Sequence, residues 1–242
     1  MENDSLRRAQ RYRWLIFTVL ALGYILVYFH RLCPAVLAVD MMQDLQAGGA
    51  LTGLLAAAYF YPYALMQLPS GLLSDSWGPR NTITLFFGVA FGGSLLLGLA
   101  PSVTWAIIGR TLVGVGVAML FVPTLKILAE WFHAREFAFM TGILMAVGGI
   151  GSLSAATPLA LLSDRIGWRA SFVVVGVFTL VLAILVRLLV RNRPADMGWP
   201  SPAGEESGTT PTEQASLRAG VGIVLRTPAF WPLAAWFFFD CA

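Results

Sequence analysis

The sequence predicts an all-α membrane protein: a six-helix transmembrane bundle followed by the start of a seventh helix. Three observations predict it. Long apolar runs follow one another along most of the chain, only 12% of the residues are charged, and the arginines collect at alternate ends of the runs. A helical crossing of a bilayer needs ~20 mostly apolar residues. A soluble domain carries ~25% charged residues, and half that number cannot coat a water-facing surface. The 57% hydrophobic content and the mean hydropathy of +0.74 point the same way.

Each element follows from the runs in order. Residues 1–13 are basic and read as a cytoplasmic N-terminus. No cleavable signal peptide is visible, because the next apolar run is long and has no small-residue cleavage site. The runs 14–36, 51–73, 82–100, 104–129, 138–161 and 170–190 make up a bundle over 14–190. Pro62 and Pro69 should kink the second run and Pro123 the fourth. Residues 191–227 are rich in Pro, Gly, Ser, Thr and Glu, a composition that buries little, and read as a flexible cytoplasmic linker. A seventh run starts at Pro228 and is cut off within 228–242.

Lys and Arg set the orientation. With the N-terminus inside, the cytoplasmic segments hold Arg7, Arg8, Arg11, Arg13, Arg80, Arg135, Arg187, Arg191, Arg193, Arg218 and Arg226. The outer segments hold Arg165 and Arg169, with Arg31 near that face. The bias predicts a multi-pass protein of a bacterial inner membrane with its N-terminus in the cytoplasm. The same placement explains the net charge of +3 by the lipid bilayer, without nucleic acid.

The composition also excludes enzyme classes. Two histidines and no clustered acids give neither a metal site nor a catalytic triad, and no Gly-Lys-Ser loop cradles a nucleotide. No cofactor, metal or catalytic residue is expected. Cys33 and Cys241 have no metal-ligand spacing and read as packed thiols.

One internal similarity stands out. LLSDSWGPR runs from Leu72 to Arg80 and LLSDRIGWR from Leu161 to Arg169. Each follows the second run of a group of three. Three crossings per group would put the copies on opposite sides of the membrane, as in an inverted repeat. Chance or shared loop chemistry is the other reading. Glycines at 88, 92, 114, 116, 148, 149 and 151 suit close helix packing.

Charges inside apolar runs are costly, at least ~2.5 kcal/mol each at mid-bilayer, and so mark candidate sites. They are His30 with Arg31, Arg110 and Lys126. Arg31 either faces a cavity or reaches out to the interface. Lys126 stands four residues before Glu130 and either pairs with it or meets substrate. Tyr28 and Tyr63 are the aromatics assigned to a cavity. In the loop after the second run, Asp75 and Arg80 either latch one conformation or are solvated turn charges.

Several of these motifs carry a resemblance. Gly71, Asp75, Gly78 and Arg80 look like the signature loop of the major facilitator superfamily, with Ser76 and Pro79 at two positions where that loop usually or often carries a basic residue. Arg110, Gly114 and Gly116 resemble the family's fourth-helix pattern, and the glycine-rich run ending in Pro158 is a looser match. YFHR, ending in Arg31, resembles the first-helix arginine of the organic-anion branch, which includes phosphate-ester and sugar-acid carriers. The resemblance implies twelve helices in a full member, so a C-terminal half is expected as partner. It implies secondary transport of a small organic anion by alternating access, coupled to protons. Arg31, Arg110, Lys126, Tyr28 and Tyr63 would meet substrate; His30 and Arg110 would couple it. Gly71, Asp75, Gly78 and Arg80 would form the gate loop. An amino-acid or other zwitterion carrier, a drug exporter using Asp240, and a non-transporting sensor are the alternatives.

Overall fold

A computed structural model of the chain describes residues 2–200, 226–228, 231 and 232. The linker residues 201–225 lie outside the described residues. So does the expected seventh run, including Asp240, apart from Pro228, Trp231 and Pro232. Residues up to 205 form one compact unit, and the account below concerns that unit.

The unit is all-α. Among the described residues the helices are α1 (Glu2–Val36), α2 (Ala38–Asp44), α3 (Ala50–Ser76), α4 (Pro79–Gly98), α5 (Val103–Ala118), α6 (Phe121–Trp131) and α7 (Ala134–Leu189). The first two apolar runs lie within α1 and α3, and the third lies in α4 and the two residues that follow it. The fourth is shared by α5 and α6, which part at Met119 and Leu120. Pro123 explains the break, because it has no N–H for the carbonyl four residues back, that of Met119.

The fifth and sixth runs lie in α7, 56 residues long. A straight helix of that length would run ~84 Å, far beyond a hydrocarbon core of ~30 Å. Gly167 divides it, with φ 79° and ψ 162° inside an otherwise helical stretch. Four stretches are long and apolar enough to cross a membrane by length and composition: Leu6–Val36, Pro79–Gly98, Val103–Trp131 and Ala134–Leu189.

The main contacts pair α1 with α7, α4 with α5 and α7, and α3 with α5. Two apolar clusters hold the bundle. One lies toward the end where α1 begins, the near end, and includes Leu20, Phe87, Trp131 and Val186. The other lies toward the far end and includes Leu37, Met41, Leu97 and Phe172. At the α4–α5 crossing, a Cβ on Gly93 would sit 2.7 Å from the backbone of Gly109. Gly88 and Gly92, expected as packing glycines, meet no neighbour there; Gly93 makes the contact instead.

The segment expected to be flexible from 191 onward begins folded. Pro194–Met197 form a 3-10 turn. Trp131 Nε1 donates to the Arg191 carbonyl at 3.0 Å, and Trp199 packs edge-on against Tyr12.

Candidate functional site

The deepest charge is Arg110, on α5 and 1% exposed. Its guanidinium donates to three carbonyls: His30 at 2.7 Å, Arg31 at 3.2 Å and Leu55 at 3.4 Å. Its carbon lies 4.1 Å from the Tyr59 ring centroid. The choice of His30 has a local cause. Pro34, four residues on, cannot donate to that carbonyl, so α1 carries an open acceptor there. Gly114 lets the helices meet, since a Cβ on it would sit 2.6 Å from the Tyr59 carbonyl. Arg110 therefore fastens α5 to α1 and α3, and it sets the backbone that carries Arg31.

Arg31 is exposed, with its guanidinium 4.8 Å from the Phe60 ring. None of the ion pairs among the described residues involves Arg31 or Arg110. Tyr28 stands against Tyr24 at 5.3 Å, and Tyr63 stacks on Tyr59 at 5.9 Å. Gly148 of α7 leaves room for Tyr24 and Tyr28; a Cβ there would lie 2.7 Å from the Tyr28 ring. Arg31, Arg110 and these rings come from α1, α3 and α5, with α7 behind.

His30 points the other way. It is 1% exposed, and its Nε2 lies 2.8 Å from the Thr179 hydroxyl. Thr179 spends its own proton on the Val175 carbonyl at 2.9 Å. It can then only accept from His30, so Nε2 carries the hydrogen. Thr179 escaped the sequence reading, because a lone threonine in an apolar run carries no signal.

Lys126 is elsewhere. It pairs with Asp75 across α6 and the α3 end, and Glu130 lies 3.6 Å from Arg193. The expected Lys126–Glu130 pair is thus replaced by two pairs that reach other elements. In the loop between α3 and α4, Gly78 has φ 82° and ψ 148°. Asn192 sits against it and accepts the Arg80 backbone N–H at 2.9 Å. The Arg80 Nε donates to the Arg187 carbonyl at 3.0 Å, near the end of α7. Gly71 meets nothing nearby.

The second copy of the motif does the same at the far end. Arg169 donates to the Ala100 carbonyl and pairs with Asp44 at 3.0 Å. Asp44 also accepts from Trp168, and Asp40 from Ser163. The short α2, unseen in the sequence, supplies both carboxylates.

Known proteins share this fold. The Major Facilitator Superfamily matches over residues 20–242. A probable sulfoacetate transporter of Cupriavidus necator is 27% identical over 185 residues, covering 75% of this chain and 42% of the relative. A probable L-galactonate transporter of Escherichia coli is 28% identical, covering 91% of this chain and 46% of the relative. The hexuronate transporter of Escherichia coli is 25% identical, covering 95% and 54%. The chain spans about half the length of the curated relatives it matches. Among solved structures, an inward-facing, unoccupied bacterial homologue of the human lysosomal transporter Spinster aligns with a TM-score of 0.72 at 24% identity, covering 93% of this chain and 51% of that one. The inward-open xylose transporter XylE of Escherichia coli aligns at 0.65 and 17%, covering 75% and 48%.

Proposed function

The chain belongs to the Major Facilitator Superfamily, a family of multi-pass membrane transporters, and on that premise we propose that it serves proton-coupled transport of a small organic anion by alternating access. One observation carries the anion. Arg31 stands exposed over the Phe60 ring, with no carboxylate in ion-pair contact among the described residues. A guanidinium fork suits a carboxylate or phosphate. Relatives named for sulfoacetate, galactonate and hexuronate support the same class.

The roles divide by geometry. Arg31 binds the anionic group directly. Arg110 is closed off by three carbonyls, so it supplies field and position. Tyr28 and Tyr63 wall the site. His30 and Arg110 form the coupling pair: a proton on His30 would set a second positive charge beside Arg110 in a dry α1–α7 interface, which favours its opening. The gate loop Gly71, Asp75, Gly78 and Arg80 holds the near end, which this reading places in the cytoplasm. There Lys126 serves Asp75, and substrate contact by Lys126 is the weaker reading. The C-terminal half of the protein closes the site from the other side.

The test is a thermal-shift series on the full-length protein with glucuronate, galactonate, sulfoacetate, an amino acid and a lipophilic cation. A ligand that binds only the folded state raises its stability. Stabilisation by the acids that disappears in Arg31→Ala is the expected result. Stabilisation by the amino acid or the cation alone, or acid stabilisation that survives Arg31→Ala, overturns the assignment.

A further inference from the structure

Three fully buried hydroxyls have no hydrogen-bond partner among the described residues: Ser70 and Ser74 on α3, and Thr124 on α6. A buried polar group left unpaired costs ~1–3 kcal/mol, and buried water is the usual remedy. Their position gives that water a direction.

Tyr59, Tyr63, Gln67, Ser70 and Ser74 follow one another on α3 at steps of three or four residues. With 3.6 residues per turn they fall within an arc of ~80° and climb ~22 Å along the helix. Successive members lie ~4.5–6 Å apart along the axis. One water, making bonds of ~2.8 Å on either side, spans such a gap. At one end, the Tyr59 ring lies against Arg110. At the other, Ser74 lines a cavity of about 230 Å³ with Asp75, Lys126, Glu130, Asn192, Arg193 and Asp196. Thr124 comes from α6, which packs on α3 beside this stripe.

We propose that this face of α3 is a hydrated path along which protons pass between the Arg31–Arg110 site and the near-end cavity. The proposal rests on the proton-coupled transport reading above, with the carboxylate of the bound acid exchanging the proton at the site end, because His30 faces Thr179 on α7. The hydroxyls of Tyr59, Tyr63, Ser70 and Ser74 each take a proton from the water on one side and give their own to the water on the other, while the Gln67 amide, bonded to Tyr63, relays no proton and holds the waters that bridge to Ser70. No charge stays on the chain, and one proton is displaced end to end. At the near-end cavity the proton passes to the solvent beside Asp75 and Lys126. The other charged and titratable groups facing the path are Arg31, Cys33, Arg110, Tyr59 and Tyr63 at the site end and Glu130, Arg193 and Asp196 at the cavity.

Two experiments decide it. The first needs no substrate. Leu97 on α4 is wholly buried in an apolar cluster, and Leu97→Cys supplies the reference thiol. In full-length protein with every native cysteine replaced by alanine, single variants Ser70→Cys, Ser74→Cys and Thr124→Cys are treated with the small reagent methanethiosulfonate ethylammonium. The thiolate is the reacting form and needs contact with water, so rates about tenfold or more above Leu97→Cys are expected. Rates equal to Leu97→Cys overturn the path.

The second experiment reads the proton. Uptake of glucuronate and galactonate under an imposed pH gradient is compared with their counterflow, in proteoliposomes. The double variant Ser70→Ala/Ser74→Ala should lose gradient-driven uptake about tenfold or more while counterflow stays within about twofold. Ser70→Thr/Ser74→Thr, which keeps both hydroxyls, should retain both modes. Equal loss in both modes, or no loss in either, overturns the proton role. If the unmodified protein takes up neither acid, the transport reading fails and the proton role with it. The thiol rates judge the water path separately.

Discussion

Arg80 and Arg169 each cap the helix that the other begins. Arg80 stands at the start of α4 and holds the Arg187 carbonyl in the last turn of α7. Arg169 stands just past Gly167, at the start of the second arm of α7, and holds the Ala100 carbonyl just past the end of α4. Each follows a glycine with nearly the same backbone, φ 82° at Gly78 and 79° at Gly167. The last carbonyls of a helix have no donor of their own, so an arginine there closes a real gap.

Removing either cap should cost stability at its own end only. Both arginines are partly exposed, so about 1 kcal/mol each is expected for Arg80→Ala and Arg169→Ala. The sites are at opposite ends of the bundle, so the double variant should lose the sum. Thermal unfolding in detergent measures it; a clear departure from additivity would contradict the separation.

The two glycines should differ. Their φ/ψ region is all but closed to residues with a Cβ, at ~1–3 kcal/mol. Gly167→Ala should lose about that much, since nothing stands within 4 Å. Gly78→Ala should lose more, because its Cβ would meet Asn192 at 2.7 Å. Comparing the two melting temperatures checks the order.

Arg110 and Pro34 should be coupled. Arg110→Met removes the donor to the His30 carbonyl and should cost ~1–3 kcal/mol for that acceptor alone. Pro34→Ala returns a helical N–H to the same carbonyl. Arg110→Met should therefore do less damage in a Pro34→Ala background, by about 1 kcal/mol. A double-mutant cycle on unfolding reads the difference, and strict additivity would count against the carbonyl as the link. Arg110→Lys should fail to replace the fork, having no planar set of donors.

Thr179 should matter only through its hydroxyl. Thr179→Val leaves the His30 N–H buried without an acceptor and should cost ~1–3 kcal/mol. Thr179→Ser should be close to neutral in the same unfolding measurement. If both substitutions behave alike, packing and not the hydrogen bond holds His30.

Much of the fold was legible because the bilayer demands long apolar stretches, and those are plain in the sequence. The six runs lie on the helices found. The limits came from features without length or charge. Seven residues of α2 are too few to show a period, yet they bring Asp40 and Asp44 to the Gly167 turn. Gly93 was indistinguishable from Gly88 and Gly92 until helix rotation was known. Arg110 was found as a buried cation, but its partners are carbonyls, which no residue type announces. Pro34 was the available clue, since a proline opens the carbonyl four residues before it. Lys126 was read against its helical neighbour Glu130, while the fold gave it Asp75 from another helix.

The crossed caps also set a timetable for synthesis. When Arg169 emerges, its acceptor at Ala100 was made 69 residues earlier, so the far-end contact can close at once. Arg80 has the opposite experience. Its acceptor on Arg187 lies 107 residues downstream, and at ~5–20 residues per second that is a wait of roughly 5–20 s. Until then the α4 start has its arginine and Gly78 turn but no helix end to hold. Synthesis therefore lets the far-end contact close before the one at the end carrying Asp75 and Lys126.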